Sequence, residues 1–179
     1  AHLDPVFVGL GRAVVAAVLA AVVLLAPRTR WPPRSAWRQL VVVAAGVVVG
    51  WPVLSAFAMR PVPAAHGGVV SGLLPLATAL AGAWLAHERP TRRFWACAVF
   101  GSAVVVAFAL WEGGGAPQLA DLLLVAAVAA AAVGYAEGAK LSRTMGGWQV
   151  ICWVLVFSAP FLVVPTFVAA GGTVPDAPW

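Results

Sequence analysis

An all-α, polytopic membrane helical bundle of about six transmembrane helices is the fold this sequence predicts, and three observations predict it. Of its 179 residues, 63% are hydrophobic and 9% charged, whereas a soluble domain runs nearer half apolar and a quarter charged. The apolar residues gather into stretches of about 20, the length a helix needs to cross a bilayer. Between those stretches the charges sit in short clusters. Alternating apolar and polar positions, the mark of a membrane β-barrel, are absent. The same composition excludes disordered, collagen-like and disulfide-scaffold chains.

Six spans follow in order. The first runs from about Pro5 to Ala26, too long and too poorly flanked for a signal peptide. The second covers Trp37 to Ala58 and the third Pro63 to Ala86, with Pro75 in its middle. Phe94 to Trp111, Leu119 to Gly138 and Trp148 to Ala170 complete the set.

The loops alternate in charge. Arg28, Arg30, Arg34 and Arg38 separate the first two spans, Arg89, Arg92 and Arg93 precede the fourth, and Lys140 and Arg143 precede the sixth. The intervening loops hold only Arg60 and a Gly-rich stretch without a base, and the tail carries only Asp176. Basic loops belong to the cytoplasm, which sets residue 1 on the outer face and leads to the expectation of a preceding helix. Trp31, Trp37, Trp95 and Trp148 then flank inner helix ends, while Trp111 and Trp179 flank outer ones, as interfacial belts require. Trp51 and Trp153 fall deeper and need another explanation. Because the net charge of +5 is spent on topology, nucleic acid is not an expected partner.

Several residues are candidates for function. Arg12 lies about 10 Å into the first span, where a charge either lines a cavity or snorkels outward to an ion pair. Pro75 removes a helix hydrogen bond and frees a carbonyl near residue 71. Ser71, Pro75 and Thr78 share one face by their i, i+4, i+7 spacing. That face either lines a water-filled path or is a kink satisfied by a neighbouring hydroxyl. Trp51, Pro52 and Ser55 form an aromatic wall or plain packing. Tyr135 and Glu137, two apart, point to different faces. Glu137 either carries protons or pairs with Lys140. Glu88 is expected to pair with Arg92, and His66 reads as a hydrated residue at a helix edge. Gly46 with Gly50, Gly68 with Gly72, and Gly134 with Gly138 are small-xxx-small pairs that mark helix contacts. Cys97 and Cys152 read as small packing residues. No Walker loop, HExxH, Cys/His cluster or nucleophile elbow is present, so no catalytic residue, cofactor or metal is expected.

With the spans placed, a family resemblance emerges. Gly72-Leu73-Leu74-Pro75-Leu76-Ala77-Thr78-Ala79-Leu80 followed by Glu88-Arg89 resembles the proline-centred helix of the EamA type of the drug/metabolite transporter superfamily. Phe57-Ala58-Met59-Arg60, Pro5-Val6-Phe7-Val8 through Gly11-Arg12, and Ala120-Asp121-Leu122-Leu123 are similar to other stretches of that family. Gly134-Tyr135-Ala136-Glu137-Gly138 and Gly146-Gly147-Trp148-Gln149-Val150-Ile151 resemble a bacterial branch of it. The resemblance implies an inverted five-plus-five repeat, of which residues 1–115 would be the first repeat lacking its first helix. Residues 116–179 would then be the first two helices of the second. It also implies a multi-pass secondary transporter in the bacterial inner membrane, exporting a small organic metabolite or drug. The missing helices of the same chain, or a second copy of it, are the expected protein partners. Six helices of ten also fit a second reading, a membrane protein without transport activity, either a partner subunit or an inactive remnant.

Overall fold

The computed structural model describes residues 5–25, 29, 31–112 and 119–169. Among them there are helices and no strand. The helices are α1 (Pro5–Leu25), α2 (Arg34–Val43), α3 (Trp51–Ala58), α4 (Ala64–Ser71), α5 (Leu74–Leu85), α6 (Arg92–Glu112), α7 (Leu119–Met145) and α8 (Gly147–Ala169). A π-helical stretch, Ala44–Gly50, joins α2 to α3. Three helical spans are long and apolar enough to cross a membrane, Arg34–Ala58, His66–Leu85 and Leu119–Met145. At 1.5 Å per residue they measure about 37, 30 and 40 Å. Shorter apolar helices cover Gly11–Leu25 and Gly147–Val163.

Proline sets two helix starts. Pro33 and Pro63 occupy the N-caps of α2 and α4 in extended backbone, where the missing N–H leaves no donor unsatisfied. Pro52 stands in the first turn of α3. It offers no N–H to the carbonyl four residues back and its ring crowds that carbonyl. The wider π stretch accommodates this, and the Trp51 N–H bonds the Gly46 carbonyl five residues earlier. The fifth span continues to Met145, seven residues past its expected end at Gly138. It turns into α8 through Gly146 alone, at φ +85°, a conformation that favours glycine.

The centre of the bundle is α7, which packs against α2, the π stretch, α3, α4, α5 and α8. Its buried face is Ala120, Leu124, Ala127, Val128, Ala131, Ala132, Gly134 and Ala136, continuing to Leu141. Small side chains bring backbones close, and in lipid that proximity is what holds helices together. The closest approach is to the π stretch. Gly46 lies over the Ala130 carbonyl, and a Cβ on it would sit 3.2 Å from Gly134 Cα. A Cβ on Gly134 would meet Val47 Cγ2 at 2.8 Å. Gly50 faces the Ala130 side chain, and Gly72 approaches Val105 of α6. A Cβ on Gly68 would meet nothing within 4 Å, so of the predicted small-residue pairs its contact is the one not found.

On the other side α1 lies along α8, burying Ala17, Ala20 and Leu24. A core of Leu40, Val43, Val48, Leu141, Val150, Trp153, Val154 and Leu162 joins α2, the π stretch, α7 and α8. The deep Trp153 is explained here: it stacks with Phe157 at 5.6 Å and meets Trp31 at 4.9 Å. Cys97 is exposed on α6 and Cys152 is partly buried.

The Gly46–Gly134 contact yields a prediction. Gly46→Ala overpacks the contact and lowers stability by about 1–3 kcal/mol, whereas Gly68→Ala, with open space before it, does not lower it. Thermal unfolding of the purified full-length protein in detergent measures both, and equal melting of the two variants would refute the contact.

Candidate functional site

The third span is broken. α4 ends at Ser71, and α5 begins at Leu74 with Pro75 in its first turn. Across the gap the Gly72 and Leu73 N–H groups bond the Val69 and Val70 carbonyls at 2.9 and 3.0 Å, a tighter i→i−3 pattern, while the Gly72 N–H also keeps the Gly68 carbonyl at 3.2 Å. Pro75 itself is exposed. Ser71 Oγ donates to the Gly67 carbonyl (2.7 Å) and Thr78 Oγ1 to the Leu74 carbonyl (2.7 Å). Neither hydroxyl turns to the Ser71 carbonyl that Pro75 frees.

Both ends of this broken span are tied to α7. At one end His66 Nε2 meets Asp121 Oδ1 at 2.6 Å. At the other, Lys140 Nζ donates to the Leu85 carbonyl (3.4 Å), and Arg143 pairs with Glu88 at 2.6 Å. All three ties join residues 55 apart in sequence, so the two spans run parallel in one register. Beyond α5 the chain reverses at His87, which has φ 52°, and the Glu88 N–H returns to the Gly82 carbonyl (3.2 Å). Gly82 leaves the space that the Glu88 carboxylate fills.

Glu137 is the best-connected of the predicted site residues. Its carboxylate pairs with Lys140 on its own helix and accepts a hydrogen bond from Gln39 Nε2 of α2 at 3.2 Å. The sequence left Glu137 open between proton carrier and salt bridge, and the geometry gives the salt bridge. Two other sequence expectations are corrected. Glu88 pairs with Arg143 rather than Arg92, because the reversal at His87 carries Glu88 back over α5 and towards α7. His66 is no lone edge residue: α7 brings Asp121 against it. Sequence spacing within one helix signals neither pair, since both cross 55 residues.

The remaining candidates are spread out. Arg12 is exposed, on the face of α1 that also exposes Val15, Leu19 and Val22. Trp51 and Ser55 are half-buried on α3, and Ser55 Oγ donates to the Trp51 carbonyl at 2.6 Å. Tyr135 is 46% exposed and lines a groove of about 280 Å³ between the π stretch, α7 and α8, with Val47, Ser142 and Ile151. As expected, it points away from Glu137. Apart from Ser55 with Trp51, no hydrogen bond or ion pair joins two of the eight residues predicted from sequence.

The Glu137–Lys140 and Glu88–Arg143 ion pairs differ in burial, and that predicts a difference in their worth. Glu137→Gln leaves the half-buried Lys140 ammonium without its counter-charge and costs about 1–3 kcal/mol. Glu88→Gln breaks a solvent-exposed pair and costs under about 1 kcal/mol. Melting temperatures of the two variants in detergent give the order, and a larger loss for Glu88→Gln would overturn it.

Comparison with known proteins bears on this arrangement. The sequence model of the EamA-like transporter family matches residues 1–110. The "uncharacterized transporter YdeK" of Bacillus subtilis (strain 168) is 46% identical over 164 residues, 92% of this chain and 57% of that relative. The chain therefore spans somewhat more than half the length of the curated relative it matches. No solved structure matches. A family match over more than half the sequence, a relative of this similarity and apolar helices of membrane length agree: the chain belongs to the EamA-like transporter family of membrane proteins.

Proposed function

We propose that this chain is the membrane-embedded part of a secondary transporter that exports a small organic metabolite or drug across the bacterial inner membrane. The observation that carries the reading is the break in the third span at Gly72–Leu73, ahead of Pro75. Gly72 and Leu73 keep right-handed helical dihedrals, so the break is a local tightening beside a proline that frees a carbonyl. A freed backbone group at membrane depth is tolerated where it is buried in protein or lines a water-filled cavity. Transporters place solute sites at such interrupted helices.

In this reading the solute passes the break, where Ser71, Thr78 and the carbonyl freed by Pro75 supply polar contacts. Trp51 and Ser55 on α3 add an aromatic surface and a second hydroxyl. Arg12 suits an anionic group on the solute, and Tyr135 offers a ring and a hydroxyl from its groove. Glu137, held by Lys140 and Gln39, fixes the end of the path nearest the basic loops. The energy comes from the solute's own gradient or from a proton gradient, and no covalent chemistry is required.

The test uses the full-length protein in proteoliposomes with a panel of labelled amino acids, nucleobases and hydrophobic drugs. For a solute that the wild type moves, Pro75→Ala, Arg12→Gln and Thr78→Val each lower flux about tenfold, which corresponds to about 1.4 kcal/mol, while folded yield is kept. Wild-type flux in all three variants would refute the assignment of the path.

A further inference from the structure

α2 is two-faced. Ala36, Leu40 and Val43 turn inward. Arg34, Trp37, Arg38 and Val41, at i, i+3, i+4 and i+7, share the exposed side. Val41 is 65% exposed, and Ala45, four residues further on, is exposed as well. The strip begins with two guanidinium groups and runs on as hydrocarbon, over about 16 Å in all.

Aromatic rings brace its charged end. The Trp37 indole N–H donates to the Pro32 carbonyl at 3.3 Å, and its ring meets Phe157 of α8 at 5.6 Å. Trp31, just ahead of α2, meets the same Phe157 at 6.3 Å. Both indoles are packed on α8 and still exposed, and an indole favours the headgroup level of a bilayer.

Among the described residues no carboxylate answers these arginines. The chain has six acidic residues and none between Asp4 and Glu88. Glu137, which Gln39 of α2 reaches, is taken by Lys140, and Glu88 by Arg143. Asp121 meets His66 at the other end of α7. Glu112 closes α6, at the end away from Arg92. Asp4 precedes α1 and Asp176 follows α8. No hydrogen bond or ion pair with a described residue reaches the Arg34 or Arg38 side chain. Like charges four apart on a helix repel, so an anion placed between them relieves the pair.

We propose that this strip is a binding site for an anionic phospholipid. The headgroup phosphate lies between Arg34 and Arg38, Trp31 and Trp37 flank the glycerol region, and an acyl chain follows Val41 and Ala45. Guanidinium groups hold phosphate through paired, charge-assisted hydrogen bonds. A soluble anion would use the arginines alone, whereas an amphiphile matches the whole strip, charged at one end and apolar beyond it. The basic start of α6 lacks this match. Arg92 and Arg93 are exposed there, but as neighbours in sequence they point about 100° apart. The site requires a bilayer around the helices and does not depend on transport.

Native mass spectrometry of the delipidated full-length protein in detergent tests it, with phosphatidylglycerol, phosphatidylcholine and inorganic phosphate as probes. The wild type is expected to bind phosphatidylglycerol about tenfold more tightly than phosphatidylcholine. Arg34→Gln with Arg38→Gln raises the Kd for phosphatidylglycerol about tenfold. Arg92→Gln with Arg93→Gln removes the same charge and leaves that Kd within about twofold. Arg28 and Arg30 stay in every variant, so the loop keeps its basic bias, and melting temperatures verify folding. If the glutamine pair at 34 and 38 does not fold, Arg34→Lys with Arg38→Lys replaces it. That pair keeps the charge, loses the planar fork and weakens binding about threefold, while Arg92→Lys with Arg93→Lys has no effect. Equal weakening by the two double variants would make the strip part of a general basic surface and overturn the proposal. Equal affinity for the two lipids would overturn it too. So would displacement of phosphatidylglycerol by inorganic phosphate, the mark of a site for soluble anions.

Discussion

Between helices surrounded by lipid there is no hydrophobic force, because the tails are as apolar as leucine. This bundle therefore depends on how closely backbones can approach, and the contact that sets the distance is Gly46 of the π stretch against Ala130 and Gly134 of α7. The alanine-rich face of α7 extends that closeness to five further helices. Had those positions been leucines, α7 would stand farther from its neighbours, and the long-range ties at its two ends would not reach.

Those ties follow from the placement of α7. Asp121 stands in its first turn, while Glu137, Lys140 and Arg143 occupy its last turns, so the helix carries charged groups towards both its ends and none between Asp121 and Glu137. His66 to Leu85 and Asp121 to Lys140 are the same number of residues apart, which is why one register serves both ends. The break at Gly72–Leu73 does not disturb that match. It replaces α-helical turns with a tighter local pattern and leaves the overall rise of the span close to that of its straight neighbour.

The sequence made the spans legible because apolar length and basic loops are local signals. Starts at Pro33 and Pro63, the break ahead of Pro75 and the glycine contacts of α7 all trace to residues whose backbone behaviour is known in isolation. The extension of α7 beyond Gly138 was missed for a physical reason. Polar residues past a membrane boundary suggest a loop, yet Glu137, Lys140 and Arg143 find partners on α2 and the α5 terminus that let the helix continue. The site was less legible than the fold. Ser71, Pro75 and Thr78 were singled out by helical spacing, and the Glu137–Lys140 pair was legible from its short separation. His66 with Asp121 and Glu88 with Arg143 arise only when two distant spans are laid side by side. Arg12 and Tyr135 stand out by residue type, which says nothing about the direction in which a helix turns them.

The π stretch makes the second span sensitive to length. Its hydrogen bonds reach back five residues, so the chain winds less per residue there than in α2 or α3. Seven residues wound in this way turn the chain through about the angle that six make in an α-helix. Removing one of them would therefore leave α3 with nearly the same face toward α7 and Ala58 in the cluster it shares with Val70 and Leu124. The cost would fall on Pro52, whose ring would then meet the carbonyl four residues back. In this span the extra residue is a spacer for a proline.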